Sequence, residues 1–191
     1  MIKITKHVTL FLMLAIFGAL AINRMNSDSW VAEAQSTSNI KAPEFHQTSP
    51  ELWLNSEPLT MESLRGKVVM LDFWTFDCWN CYRSFPWMNE MEASFDSDEF
   101  IIIGVHTPEF EHEKVRENIE EKITEFKLKH PTVMDNDFRY WKAMNNRFWP
   151  SYYLIDKNGN IRKNFVGETH ANTKKARQIE ATIQALIDEP A

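Results

Sequence analysis

Two cysteines, Cys78 and Cys81, follow the apolar run Val68–Trp74 almost directly, and the 191-residue chain contains no others. That placement constrains the fold more than any other feature. Val68-Val69-Met70-Leu71-Asp72-Phe73-Trp74 is too short for a helix of its own and nearly continuously apolar, so it reads as a parallel strand buried on both faces. A disulfide across so short a loop would contribute only about 2 kcal/mol in the chain-entropy view, well below a long-range staple. The pair is poorly placed for stability and well placed for chemistry. Where a strand hands over to a helix, the first sulfur meets unpaired backbone N–H groups and the positive end of the helix dipole, and both favour the thiolate.

With 43% hydrophobic and 25% charged residues, the chain has the composition of one globular domain with a full core. A formal net charge of −6 and the lack of any basic stripe exclude an electrostatic nucleic-acid binder. Only the start is locally basic. Lys3, Lys6 and His7 precede the apolar run Val8–Ile22, and Asn23-Arg24 follows. This is the layout of a signal peptide or signal anchor, over residues 1–25. The run is shorter than the roughly 20 residues that span hydrocarbon comfortably. Ala32-Glu33-Ala34 and Ala19-Leu20-Ala21 both offer small-x-small cleavage sites, and the lack of a cysteine nearby excludes a lipid-anchored mature end. Residues 26–41 read as a polar linker and 42–191 as the domain. Export places the cysteine pair in a compartment where thiol and disulfide forms both persist.

Along the domain, Leu52-Trp53-Leu54 reads as a short strand and Leu59–Leu64 as a helical turn capped by Thr60. Phe85, Met88, Met91 and Phe95 give helical spacing over Tyr82–Phe95, where Pro86 should kink the axis. Phe100–Val105 reads as a second buried strand. Val115, Ile119, Ile123 and Phe126 form one stripe of a charged helix expected over Glu113–Lys129, its charges being a solvated face. Thr132–Met134 is a short strand and Phe138–Asn145 a short helix. Ser151–Ile155 and Ile161–Val166 flank Asp156-Lys157-Asn158-Gly159-Asn160 as a hairpin. Ala176, Ile179, Ile183 and Leu186 mark a C-terminal amphipathic helix. Alternation followed by a hairpin predicts an α/β fold with a central mixed sheet covered on both faces.

The set Asp72-Phe73-Trp74, Cys78-x-x-Cys81, Pro86 and Pro150 resembles the thioredoxin fold, with the strand and helix before Pro150 as an insertion. Ala42-Pro43-Glu44-Phe45, Leu64-Arg65-Gly66-Lys67-Val68-Val69, Gly104-Val105-His106-Thr107-Pro108-Glu109 and Leu154-Ile155-Asp156-Lys157-Asn158-Gly159 narrow the resemblance. It is to the exported TlpA-like thiol-disulfide oxidoreductases and, among them, to the thioredoxin domain of DipZ-like proteins. The resemblance implies an enzyme of the extracytoplasmic space that reduces or exchanges disulfides of exported proteins, often in cytochrome c maturation, with no cofactor. DipZ-like chains usually carry a membrane electron-transfer domain ahead of this one. With a single N-terminal segment, this chain is expected to draw electrons from a separate membrane or soluble donor. Asp77 stands where thioredoxins commonly have tryptophan, and Trp79-Asn80 replaces Gly-Pro. A carboxylate beside Cys78 opposes thiolate formation.

Cys78 comes first at the helix start and is the expected nucleophile, with Cys81 one turn later resolving the mixed disulfide. The same pair could instead be a structural clip or half of a zinc site, but no second C-x-x-C or H-x-x-x-H completes four ligands, and no metal is expected. Tyr82 stands where haem attachment needs histidine. By resemblance, Asp72 moves the proton of Cys81, against a reading as a hydrogen-bonded strand residue, and Pro150 is cis and leaves a backbone edge for an extended partner. Phe76, Trp79, Asn80, Phe148 and Trp149 are candidates for a docking rim, although such aromatics serve equally as core. Asp77 and His106 could tune or shuttle a proton; a lone histidine is more often bonded to backbone. A copper-handling chaperone using Cys78, Cys81 and His106 is the alternative function. Thr75 lies three before Cys78, as in peroxiredoxins, but Leu71 stands where their motif has proline, so peroxide turnover should be absent or slow.

Overall fold

The structure, a computed structural model, is described over residues 40–190. The signal or anchor segment, its cleavage sites and the linker up to residue 39 lie outside the described residues. The strands are β1 (Trp53–Leu54), β2 (Val68–Trp74), β3 (Phe100–His106), β4 (Thr132–Met134), β5 (Ser151–Ile155) and β6 (Ile161–Val166). They form one mixed sheet in the order β1-β4-β3-β2-β5-β6, with β2, β3 and β4 parallel and β1, β5 and β6 running against their neighbours. Helices α1 (Trp79–Glu92), α2 (Arg116–Phe126), α3 (Arg139–Ala143) and α4 (Lys174–Asp188) connect or follow them. Among the described residues no helix is long and apolar enough to cross a membrane.

β2 is fully buried because both its faces are used, which is why its sequence does not alternate. Val68, Met70 and Trp74 face a core made with α1, α2 and α4, through Phe85, Met88, Ile119, Ile123, Ile179 and Ile183. Val69, Leu71 and Phe73 face a second core with Phe45, Trp53, Met61, Leu64 and Tyr140. Asp72 has the parity of the first set and is the one ionisable residue of the strand.

The helix boundaries differ from the periodic pattern, the Phe138–Asn145 helix being shortened to Arg139–Ala143. The helix expected over 113–129 is a 3-10 turn at Glu111–Lys114 followed by α2, which stops at Phe126. At its start, Glu113 accepts the backbone N–H groups of Glu109 (2.6 Å) and Phe110 (2.7 Å), which pulls the preceding turn tight. At its end, Lys127 adopts the left-handed conformation (φ 59°) and the N–H of Leu128 closes on the carbonyl of Ile123 at 3.0 Å. α1 begins at Trp79, ends at Glu92 short of Phe95, and runs through Pro86, which lies on its exposed side. Leu59–Leu64 is a turn whose Thr60 Oγ1 accepts from the N–H of Ser63 at 3.0 Å. Before β1, Ile40–Ala42 pairs with the β5–β6 hairpin through an Ala42 N–H to Gly159 carbonyl bond and an Ile161 N–H to Ile40 carbonyl bond.

Candidate active site

β2 ends at Trp74 and α1 starts at Trp79, so the four residues between them form a short loop at the carboxyl end of the parallel strands. Open α/β sheets place their sites at this edge. Cys78 caps α1 from an extended conformation (φ −75°, ψ 105°), and its Sγ accepts the N–H of Cys81 at 3.3 Å. The N–H of Tyr82 bonds the carbonyl of Cys78 at 3.0 Å, closing the first turn. Cys78 and Cys81 are disulfide-bonded, with 5.3 Å between their Cα atoms. Cys78 is partly exposed and Cys81 fully buried. A partner can therefore reach one sulfur and not the other.

Beneath the pair, Asp72 is fully buried, and neither carboxylate oxygen has a hydrogen-bond partner among the described residues. Burial holds its pKa well above the usual carboxylate range. Tyr152, opposite Asp72 in the β2–β5 register, is raised as well, by burial first and then by the Asp72 charge. Asp72 lies on the strand face, shared with Met70 and Trp74, that packs against the core containing Cys81. The Trp149–Pro150 bond is cis. Phe73 pairs with Ser151, so Pro150 falls one step beyond, at the end of β2 from which the cysteine loop departs.

The rim residues separate. Trp79 (66% exposed) and Phe148 (57%) project into solvent, and Trp79 stacks on Tyr82 with ring centroids 5.4 Å apart. Asn80 is exposed at the helix start, while Trp149 is half-buried and packs on Trp141 at 4.4 Å. Phe76 is buried, stacked on His106 at 5.7 Å, and supports the loop from within. His106 is fully buried with Nε2 3.4 Å from the Thr75 hydroxyl. Burial lowers its pKa to about 4 against the weaker pull of Glu113, so the imidazole is neutral near pH 7. Asp77 does not stand alone beside Cys78: one carboxylate oxygen lies 2.6 Å from His112 Nε2.

Sequence reasoning missed Glu113. It is fully buried, and one oxygen accepts the Thr75 hydroxyl and the Asp77 N–H (3.0 Å) while the other takes the N–H groups of Glu109 and Phe110. Burial alone would raise its pKa, but the Thr75 hydroxyl and the three N–H groups hold it below the usual range. Glu113 pins the loop that presents Cys78. Its neighbours Glu111, His112 and Lys114 are polar or charged as well, so nothing in the local pattern singles it out. The same bond engages the Thr75 hydroxyl away from the role it would have in peroxide chemistry. Among the described residues, the cluster of His, Asp, Glu or Cys side chains close enough to share an ion contains neither sulfur.

Residues 39–164 match the AhpC/TSA family. The chain is 38% identical over 150 residues to protein DipZ of Mycobacterium tuberculosis, covering 74% of this chain and 21% of that protein. It is 31% identical over 124 residues to the thiol-disulfide oxidoreductase YkuV of Bacillus subtilis, covering 64% of this chain and 82% of that one. The crystal structure of a thioredoxin-like superfamily protein superposes with a TM-score of 0.70 at 28% identity, over 80% of this chain and 99% of the other. The fold is thioredoxin-like.

Proposed function

The chain belongs to the AhpC/TSA family, and on that footing we propose that it is a thiol-disulfide oxidoreductase acting on exported proteins. The observation that carries this reading is the asymmetry of the pair: a partly exposed Cys78 at a helix N-cap, bonded to a fully buried Cys81 above an unpartnered carboxyl. In the reduced protein the Cys78 thiolate attacks one sulfur of a client disulfide. A mixed disulfide forms and the client's other sulfur leaves as a thiolate that takes a proton. Asp72 accepts the proton of Cys81, whose thiolate then attacks Cys78 Sγ and releases the second client thiol. Two electrons pass to the client, the cysteine pair is left oxidised, and a separate dithiol donor restores it.

Trp79, Asn80, Phe148 and Trp149 form the docking rim, where exposed aromatics give apolar contact to an extended segment beside Pro150. Residues 1–25 deliver the chain to the extracytoplasmic face as a signal or anchor, and 26–41 serve as tether. The decisive experiment is trapping with Cys81→Ser in cells. The variant should accumulate disulfide-linked adducts with a small set of exported proteins, identified by mass spectrometry and absent from Cys78→Ser. Adducts with abundant proteins at random, or equal adducts from both variants, would sink the reading.

A further inference from the structure

On the same carboxyl edge of the sheet as the cysteine loop, but beyond β3, residues 46–47 and the loop after β4 enclose a cleft of about 250 Å³ lined by His46, Gln47, Asn136, Asp137 and Arg139 together with the apolar Leu52 and Met134. One ligand-capable atom each from His46, Asp135 and Asp137 lies within 4.8 Å of the others. Ligands about a tetrahedral ion with bonds near 2.1 Å stand about 3.4 Å apart, so the set would close with a contraction of about 1.4 Å at most. Asp137 is exposed, and its Oδ1 accepts the Arg139 N–H at 3.1 Å, so the adjustment would fall on its other oxygen or cost that bond.

The second observation is a group of polar atoms left without partners. Gln47 is only 4% exposed, and its Nε2 donates to Asp135 Oδ1 at 3.1 Å, which fixes the amide and leaves Oε1 unpaired. Asn136 repeats the arrangement: Nδ2 donates to the Lys114 carbonyl at 2.9 Å, and Oδ1 has no partner. His46 Nε2 is also buried without a hydrogen bond, 3.7 Å from Asp137 Oδ1. Acceptors buried without donors are costly, and a cation bound in the cleft would supply a partner for those it reaches.

We propose that this cleft binds a divalent transition-metal ion through His46 Nε2, the carboxylates of Asp135 and Asp137, and Gln47 Oε1. An imidazole nitrogen with carboxylate and amide oxygens selects Zn²⁺, Mn²⁺ or Co²⁺ over a thiophilic ion, and two carboxylates neutralise its charge. Arg139, 4.0 Å from Asp137 and more exposed than it, is the side chain the ion displaces. The ligands come from two distant stretches, residues 46–47 and 135–137, so the ion would act as a cross-link. Asp135 also accepts the N–H of Trp141 at 2.8 Å, and Trp141 packs on Trp149 next to Pro150. The cross-link therefore ends one residue layer from the active edge.

The test is calorimetric titration of the full chain, free of histidine tags and with the Cys78–Cys81 disulfide intact so that the sulfurs cannot bind, using Zn²⁺, Mn²⁺ and Ca²⁺ separately. One Zn²⁺ or Mn²⁺ ion per chain should bind with a rise in Tm, and His46→Ala and Asp137→Asn should each weaken binding at least tenfold. Asp137 is exposed, so its variant reads binding without a folding defect. A His112→Ala control should leave affinity unchanged. No saturable binding, a response to Ca²⁺ alone, affinity that survives both cleft variants, or loss of binding in the control would each overturn the proposal.

Discussion

Asp72 has no hydrogen-bond partner for either oxygen among the described residues, and burial raises its pKa, so every ionised copy of the folded protein bears a desolvation cost. The folded state holds that proton more tightly than the unfolded one, so the residue's contribution to stability falls as pH climbs above the ordinary carboxylate value. Asp72→Asn should therefore stabilise the protein at pH 7, by roughly 1–3 kcal/mol in urea denaturation. The same change should slow release of the mixed disulfide, read as a longer-lived adduct in stopped-flow quenching. A stable variant with wild-type release would confine Asp72 to a structural part. Glu113→Gln is expected to act in the opposite sense on stability. Its amide NH₂ cannot accept the N–H groups that two carboxylate oxygens now serve, and the loss should be about 1–3 kcal/mol. The loop before Cys78 would loosen, measurable as faster hydrogen exchange at the Asp77 amide.

On the Asp72 face, Gly104, paired in register with Asp72 and Thr132, carries no side chain, and the Thr132 and Trp74 side chains occupy the space beside it. A Cβ there would lie 2.6 Å from Thr132 Oγ1 and 2.9 Å from Trp74 Nε1, both on fully buried residues. Neither neighbour has room to retreat. Gly104→Ala should cost about 1–3 kcal/mol by overpacking, seen as a lower urea midpoint at unchanged slope. Thr132→Ala in the same background should recover part of the loss; no recovery would place the strain elsewhere. α1 is organised around the other requirement of the site. Its first turn is closed by the Cys78 carbonyl and sulfur, while Phe85 and Met88 anchor it in the first core, so the cysteine cap is held by packing about two and three turns further on.

Across the whole molecule, acidification should be read through His106. Its folded pKa of about 4 lies below the ordinary 6.5, so the unfolded chain binds the extra proton first. Stability is full above pH 6.5 and declines as pH falls from there through 4, by up to about 3 kcal/mol on the usual conversion of pKa shift to free energy. Asp72 works the other way over the same range, so the wild-type curve alone mixes the two. The difference between wild type and His106→Gln isolates the histidine: the variant should lose less stability between pH 6.5 and 4. Parallel curves would show that His106 does not set the acid limb.

The sequence alone determined most of the strands and helices along the chain, the cysteine pair and the two-faced burial of Val68–Trp74, because each is written in adjacent residues or in a period that local chain geometry imposes, while the cis Pro150 beside the pair was implied only by resemblance. It did not determine where the Glu113–Lys129 helix would break, because a left-handed Lys127 and an acid bonded to its preceding turn leave no mark on hydrophobic spacing. Tertiary structure alone decided that Phe76 and His106 turn inward while Trp79 and Phe148 turn out, that Asp77 meets His112, and that Glu113 latches the loop from 35 or more positions away. It also gathered His46 and Gln47 with Asp135 and Asp137 across nearly ninety positions. Such partners are chosen by sheet register and packing, which bring together residues whose separation along the chain carries no information about their distance in space.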